Sequence, residues 1–247
     1  MAKLSVNLNK VALLRNQRDV GYPDLIDHAK LILEAGAQGL TIHPRPDERH
    51  VRKSDIASIA DFLKNWKNKD IELNIEGYPS DDFIALALEH PCDQVTLVPD
   101  SPIQRTSDHG WDIQKNQELL KKVIEKLQNN KCCVSLFIDP VPEIIKDVQH
   151  VGADRVELYT GPYAEEKVLL GRYVETAKAA QKVGIAINAG HDLSLDNLGK
   201  FIAAIPSCRE VSIGHAITAD ALKMGWHGAV QAYLSAIAFG QKTAKTK

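Results

Sequence analysis

Hydrophobic residues along this chain follow two alternating patterns. Short continuous runs, rich in Val, Ile and Leu, have the length of a buried strand. The segments between them carry apolar residues three or four positions apart, as in Ile59, Leu63 and Trp66, which is the period of an amphipathic helix. The pattern therefore predicts strands that alternate with helices. The strand-like runs are residues 4–8, 39–42, 71–75, 94–98, 133–138, 155–158, 184–187 and 210–213.

Strands that alternate with helices run parallel, because each helix returns the chain to the same end of the sheet. Eight such units favour an α/β fold of the (β/α)8 TIM-barrel type. The competing fold is an open, doubly wound sheet, which normally has a glycine-rich turn after its first strand. Here Asn7, Leu8, Asn9 and Lys10 stand at that turn. We expect one domain over residues 1–247, with a flexible tail from about residue 241.

Serines precede two of the predicted helices. Ser54 stands before a helix that includes Ile56, and Ser80 before one that includes Phe83. A serine hydroxyl accepts a hydrogen bond from the first turn of a helix, so both serines are predicted N-caps.

Charge and composition narrow the classes of function. The 247 residues include 30 Lys and Arg against 32 Asp and Glu, and a net charge of −2 argues against nucleic-acid binding through a broad basic surface. No apolar run is long enough to span a membrane. The chain begins without the apolar stretch of a signal peptide, and its four cysteines show no CxxC spacing. We therefore expect a cytoplasmic protein with reduced thiols.

Three connections that follow strands are longer than strand-to-helix closure needs, at residues 10–23, 44–53 and 100–112. The third contains Arg105, Thr106 and His109, and the other two carry further arginines. In a barrel, all three lie on the catalytic face, where long loops are usually binding loops or lids.

Residues that transfer protons stand at predicted strand ends. His43 follows the second strand and suits general acid–base catalysis, with a histidine hydrogen-bonded in the rim as the alternative. Asn74 and Glu76 are two positions apart on the third strand, so both face the barrel interior. Apolar walls would raise the pKa of Glu76 toward that of a general base, or the carboxylate pairs with a neighbouring arginine. Arg45 is a candidate anion clamp or a surface ion-pair partner.

The last two strands are each followed by a glycine and a histidine. Gly190 and His191 follow the seventh strand, and Gly214 and His215 follow the eighth, where a helix begins. Barrel enzymes commonly hold phosphate at this place, on the N–H groups of a helix N-terminus, although two tight turns with surface histidines would look the same. Glu157, on the sixth strand, either stabilises a cationic intermediate or joins an internal ion pair.

Motifs along nearly the whole chain closely resemble those of the pyridoxine 5′-phosphate synthase family, which closes the pyridine ring in de novo vitamin B6 synthesis. The matching motifs, in order, are VN (6–7), LRNQR (14–18), YPD (22–24), TIHPR (41–45), RH (49–50), NIE (74–76), LVP (97–99), VSLFID (134–139), TGPYA (160–164), NAGH (188–191) and IGHA (213–216).

The resemblance implies a barrel with extra helices in the βα loops, assembled as a homo-octamer that is a tetramer of dimers. It implies a transferase-type synthase that condenses 3-amino-2-oxopropyl phosphate with 1-deoxy-D-xylulose 5-phosphate. The products are pyridoxine 5′-phosphate, inorganic phosphate and water. Neither a metal nor a cofactor is expected, and the sequence carries no HExxH zinc motif and no P-loop.

Position by position, the resemblance makes His43 and Glu76 general bases, His191 a proton donor and Glu157 the stabiliser of the transition state. The positions that it assigns to the amino-ketone phosphate are Asn7, Arg18, Asp192, Gly214 and His215. Those that it assigns to the sugar phosphate are Arg45, His50 and Thr106. Arg18 is expected to act across a dimer interface.

The chain departs from the family after the first strand, where many members have Asp-His and this sequence has Asn9 and Lys10. We carry no role over to these two positions. The rival predictions are other barrel enzymes of sugar phosphates, either an aldolase using Lys10 or an epimerase using Glu76 and Glu157. A phosphosugar-binding protein without activity is a third, which explains the arginines but gives no use for the acids and bases.

Overall fold

The computed structural model describes residues 1–68, 70–104 and 106–246. Within these ranges, eight parallel strands form a closed barrel in sequence order. The last strand pairs with the first, with Val6 beside Ile213. The predicted (β/α)8 barrel is therefore confirmed, and the open sheet is excluded. The strands are β1 (Lys3–Asn7), β2 (Gly39–Ile42), β3 (Glu72–Gly77), β4 (Gln94–Leu97), β5 (Cys133–Ile138), β6 (Arg155–Tyr159), β7 (Ala186–Gly190) and β8 (Cys208–Ile213).

Helices follow every strand and cover the outside of the barrel. Those of the described chain are α1 (Asn9–Arg15), α2 (Leu25–Glu34), α3 (Lys53–Lys64), α4 (Asp81–Glu89), α5 (Gln117–Gln128), α6 (Ile145–Val151), α7 (Gly161–Glu165), α8 (Leu170–Lys182), α9 (Leu198–Ala204) and α10 (His215–Ala244). Helices α1 and α7 are additional to one helix per strand, as the resemblance implies. Helix α1 also shows that residues 10–23 are in part helical, where the sequence predicted a loop.

The barrel strands alternate between apolar and polar residues because their two faces meet different surroundings. Apolar side chains such as Leu4 and Leu40 are fully buried in the hydrophobic core. The polar side chains between them contact one another across neighbouring strands, with Ser5 Oγ 2.7 Å from Thr41 Oγ1. The interior of this barrel is therefore lined by hydrogen-bonding groups, while the packing against the helices is apolar.

The two predicted helix caps have different outcomes. Ser80 caps α4, since its Oγ accepts a hydrogen bond from the Phe83 N–H at 3.2 Å. The prediction for Ser54 is wrong, because α3 begins one residue earlier, at Lys53. There the Asp55 carboxylate accepts the N–H of Arg52 at 2.7 Å. A carboxylate interacts more strongly with the positive end of a helix than a hydroxyl does, which explains the earlier start.

The C-terminal helix is longer than the sequence predicted. Helix α10 breaks at Gly225 (φ 72°), then continues through Gly240 to Ala244, so the flexible tail expected from residue 241 is helical over its first four residues. Gly240 packs so closely on α9 that an added Cβ would lie 2.5 Å from the Gly199 carbonyl oxygen. This contact anchors the helix, and Gln241, Lys242 and Ala244, which follow, are good helix formers. Lys247 lies outside the described residues.

None of the helices built from the described residues combines the length and apolar character needed to cross a lipid bilayer. The cysteines Cys92, Cys132, Cys133 and Cys208 are all free.

Candidate active site

A cavity of about 310 Å³ opens at the carboxyl ends of the barrel strands. Eleven of the twelve predicted site residues line it, and Arg18 does not. The strand ends bring these side chains together although they are far apart in sequence. The eleven residues are Asn7, His43, Arg45, His50, Glu76, Thr106, Glu157, His191, Asp192, Gly214 and His215.

Glu76 and His43 lie next to each other in this cavity. Both are buried, and Glu76 Oε2 lies 3.8 Å from His43 Nδ1 and 3.4 Å from the Asn7 amide nitrogen. Burial, followed by the charge of Glu157, raises the pKa of Glu76 well above its ordinary value. Burial, followed by the charge of Arg45, holds the pKa of His43 well below its ordinary value. His43 is thus held as a neutral imidazole.

Asn9 fixes the backbone from which His43 extends. Its Oδ1 accepts a hydrogen bond from the His43 N–H at 3.0 Å, and its own N–H donates to Asn7 Oδ1 at 2.9 Å. Asn9 and Lys10 both line the cavity. A neutral amide therefore supports the strand end at this position.

Glu157 lies deeper in the cavity, with 2% of its surface exposed. Within the described chain, its Oε2 has no hydrogen-bond partner, and no ion pair with an arginine is formed. Burial, followed by the charge of Glu210, raises the pKa of Glu157 to about 8. A buried carboxyl group with a free oxygen is poised to respond to a cation that forms beside it.

His191 occupies a backbone conformation that L-amino acids rarely adopt. Both His191 (φ 71°) and Asp192 (φ 53°) have positive φ angles, and the Thr160 hydroxyl lies 2.6 Å from the carbonyl oxygen of Gly190. The His191 ring packs against Phe137, with the ring centroids 5.4 Å apart. Such strained residues persist where the surrounding structure holds them, often at functional sites. Burial is the main cause that lowers the pKa of His191.

The Arg45 guanidinium is buried instead of forming a surface ion pair. It forms a close ion pair with Asp100 and donates a hydrogen bond to the carbonyl oxygen of Gln104 at 2.8 Å. Ser107 Oγ also donates to Asp100, at 2.7 Å. Arg45 thus joins the loop after β2 to the loop after β4, and both loops border the cavity. Arg105, in the second of these loops, lies outside the described residues.

His50 presents one defined nitrogen to the cavity. Its Nδ1 accepts the Val51 N–H at 3.0 Å, so the neutral ring carries its proton on Nε2. Burial, followed by the charge of Arg45, lowers the pKa of His50 to about 4. The loop of His50 is held from α1, since the Asn16 amide nitrogen donates to the His50 carbonyl oxygen at 2.8 Å.

The N-terminus of α10 completes the far side of the cavity. Gly214 precedes the helix, and an added Cβ there would lie 3.1 Å from Asn7 Cβ. The glycine therefore allows β1 and β8 to approach closely and leaves the N–H groups of the first turn accessible. Such an arrangement binds phosphate groups.

Three polar residues of the site are absent from the sequence prediction. Ser212 and Ser107 line the cavity, and Asp100 holds Arg45. Ser212 lies two residues before Gly214 on β8, so strand alternation would have found it. Ser107 and Asp100 belong to an irregular loop, where no periodic signal exists. In the described part of the chain, no group of three or more His, Cys, Asp or Glu side chains is placed to hold a metal ion.

A closed parallel barrel whose strand ends collect imidazoles and carboxylates around one cavity defines an enzyme of the (β/α)8-barrel class. More particularly, the chain belongs to the PdxJ family, whose model, "Pyridoxal phosphate biosynthesis protein PdxJ", matches residues 4–239. The family predicted from the sequence motifs is thereby confirmed.

Two relatives show the extent of this similarity. Pyridoxine 5′-phosphate synthase of Albidiferax ferrireducens is 48% identical, over 97% of this chain and 98% of the relative. The protein of the same name from Chelativorans sp. is 50% identical, over 95% of this chain and 98% of the relative. Among solved structures, the tryptophan synthase α-subunit from Legionella pneumophila has a TM-score of 0.63 and 15% identity, covering 100% of this chain and 94% of that one. This last similarity shows the barrel fold alone.

Proposed function

We propose that the chain synthesises pyridoxine 5′-phosphate, as a transferase-type synthase of vitamin B6 biosynthesis. The substrates are 3-amino-2-oxopropyl phosphate and 1-deoxy-D-xylulose 5-phosphate, which condense and close the pyridine ring with release of phosphate and water. Family membership supports this proposal, as do relatives of that name that align over nearly their full length.

One observation carries the proposal: four acid–base groups with shifted pKa values face a single cavity beside a helix N-terminus. The carboxyl pKa values of Glu76 and Glu157 are raised, and the imidazole pKa values of His43 and His191 are lowered. The two carboxyl groups therefore lose their protons nearer to neutral pH, and the two imidazoles stay uncharged there. A sequence of proton transfers requires groups of this kind.

The four groups take different roles in the proposed reaction. The amine of one substrate attacks the ketone of the other, and His43 and Glu76 remove the protons that this condensation and the later eliminations release. His191 donates a proton to the departing oxygen. Glu157 ionises as a cationic imine forms beside its unpartnered Oε2, and thereby stabilises the transition state.

Two phosphate groups must be bound around the same cavity. The helix N-terminus at Gly214 and His215, with Asn7 and Asp192, is suited to the amino-ketone phosphate. His50, as the Nε2–H tautomer, and Thr106 offer hydrogen-bond donors for the sugar phosphate. Arg45 contributes its charge there while it remains paired with Asp100. The proposed steps are proton transfers at carbonyl and imine carbons, so they require neither a metal nor a redox cofactor.

We further propose that the protein is a cytoplasmic homo-octamer, a tetramer of dimers, in which Arg18 reaches the cavity of the partner subunit. Arg18 is exposed and does not line the cavity of its own chain. Exposed apolar side chains surround it in sequence, including Leu14, Val20 and Tyr22, as expected of a surface that another subunit covers. The free cysteines suit a reducing compartment.

Incubation of the purified protein with both phosphorylated substrates tests the proposal. We expect pyridoxine 5′-phosphate by mass spectrometry and one inorganic phosphate per product, and neither when one substrate is left out. Borohydride trapping of an adduct on Lys10, or conversion of the sugar phosphate alone, would instead support an aldolase or an epimerase. Substrate binding without any turnover would support the phosphosugar-binding protein.

A further inference from the structure

Two cysteine side chains are in contact at the end of the barrel opposite the cavity. Cys92 Sγ lies 3.7 Å from Cys132 Sγ. Cys92 stands just before β4 and Cys132 just before β5, and these strands pair with Gln94 beside Cys133. The two thiols are therefore held together by the barrel itself. The reaction proposed above uses neither of them.

We propose that Cys92 and Cys132 are a redox modification site, at which hydrogen peroxide forms a reversible intrachain disulfide. The Sγ atoms are already in contact and must approach to a bond length of ~2 Å. Both residues lie in irregular segments just outside the strands, so neither is held by the hydrogen bonds that pair the strands. Closure thus leaves the strands of the barrel in place.

The contact divides the two thiols into a nucleophile and a resolving group. The hydrogen bond between the two thiols lowers the pKa of Cys132 to about 7. The same contact, together with burial, raises the pKa of Cys92. The thiolate is the form that reacts with peroxide, so Cys132 is oxidised first.

The chemistry balances with peroxide as the only oxidant. The Cys132 thiolate attacks one peroxide oxygen, the O–O bond breaks, and a sulfenic acid and hydroxide form. The hydroxide takes the proton of the Cys92 thiol and becomes water. The Cys92 sulfur then attacks the Cys132 sulfur and displaces its hydroxyl group, which leaves as a second water with a proton from solvent. Two thiols lose two electrons, and one hydrogen peroxide is reduced to two waters.

Mutual contact and reactivity separate this pair from the other two cysteines. Cys92 is half-buried and lines a surface groove of about 650 Å³ beside α3 and α4, through which a molecule as small as peroxide reaches the pair. Burial raises the pKa of Cys133 to about 11 and that of Cys208 to about 12. These two residues therefore stay protonated and unreactive at neutral pH.

The test treats the native protein with hydrogen peroxide, removes the excess with catalase, and blocks free thiols with N-ethylmaleimide in denaturant. We expect two of the four thiols to escape blocking because they form the disulfide. Before blocking, the intact mass of the oxidised protein should be lower by two hydrogens. Dithiothreitol should restore all four thiols. The bond closes a loop that contains β4 and α5, so the oxidised protein should unfold at a higher urea concentration than the reduced protein.

Matched cysteine variants identify the partners. The Cys133→Ser variant should still form the disulfide, because loss of the Cys133 thiol leaves the contacting pair intact. Cys92→Ser should stop the reaction at a sulfenic acid on Cys132, which dimedone labels. Four blockable thiols after a dose that oxidises N-acetylcysteine in the same buffer would overturn the proposal. Loss of the disulfide in Cys133→Ser, or its persistence in Cys92→Ser, would overturn it as well.

Discussion

The α-carbon of Gly190 packs directly against the carboxylate of Glu157, and a side chain on Gly190 would overlap Glu157 Oε1. The two residues are on the neighbouring strands β7 and β6, where Glu157 is paired with Asn188 and Tyr159 with Gly190. A missing side chain on one strand therefore makes room for a proposed catalytic group on the next. Gly190 also directly precedes the strained His191, so this one position affects the placement of both Glu157 and His191.

We expect Gly190→Ala to displace the Glu157 carboxylate and to lower kcat by about 100-fold, the usual effect of misplacing a reacting group by ~1 Å. The far-ultraviolet circular dichroism spectrum should be unchanged. Gly171→Ala is the control, since an added Cβ there on α8 would meet no atom within 4 Å. Equal kcat values for the two variants would show that Glu157 is not held by this contact.

Glu76→Gln and His191→Ala should each abolish product formation while the fold is retained. A positioned acid or base typically contributes ~10²–10⁴-fold to the rate, and neither replacement can transfer a proton. Single-turnover assays with both substrates measure the loss. The exposed residues Glu125 and His227 provide the controls Glu125→Gln and His227→Ala. Turnover near the wild-type rate in either site variant would remove that residue from the mechanism.

Stability should fall as the pH rises toward 8. The pKa of Glu157 is about 8 and that of Glu210 about 7 in the folded protein, both raised above the ordinary carboxyl value, with burial as the main cause. At pH values between the ordinary carboxyl pKa and these raised pKa values, the folded chain binds more protons than the unfolded chain. The free energy of unfolding therefore decreases with rising pH across this window.

Glu157→Gln should remove part of this decrease, because the amide has no proton to lose. Urea unfolding at a series of pH values from 5 to 9 gives the slope, with the exposed Glu125→Gln as the control. The effect should amount to a few kcal/mol at the alkaline end. An identical slope in the variant and the wild type would mean that Glu157 is ionised in the folded protein at neutral pH.

Asn16→Ala should weaken binding of the sugar phosphate more than it slows the reaction. The Asn16 amide holds the loop of His50 by donating to the carbonyl oxygens of His50 and Arg49, at 2.8 and 3.2 Å. Losing such a hydrogen bond costs ~1 kcal/mol, so we expect KM for the sugar phosphate to rise about fivefold. Asn65→Ala is the control, because the Asn65 amide nitrogen donates to the carbonyl oxygen of Asp61, at the end of its own helix. A fall in kcat at constant KM would contradict this positioning role.

The barrel was predictable from sequence because strand and helix periods are local properties of the chain. All eight strands are where the apolar runs predicted them. The largest difference between a predicted and an observed strand end is at β7, which begins after the left-handed Gly184 and continues to Gly190. Parallel pairing then places the strand ends together without further information, which is why the sequence alone predicts that His43, Glu76 and His191 lie close together, and they line one cavity.

Contacts between distant loops were not predictable in the same way. The sequence suggests an anion clamp or a surface ion-pair partner at Arg45, but its buried partner Asp100 lies in a loop 55 residues later. Neither residue belongs to a periodic pattern that would reveal the pair. The environment of Arg18 depends, in our proposal, on a second subunit, so neither this sequence nor one folded chain defines it.

The proposed catalytic and binding groups are divided between the two halves of the barrel. The half made of β1–β4 carries the groups that accept protons, His43 and Glu76, while the half made of β5–β8 carries Glu157 and His191. Neither half could work as an independent enzyme, and a truncated or partly unfolded chain would be inactive. Turnover by this protein would thus report directly on the fraction of molecules whose ring of strands is complete.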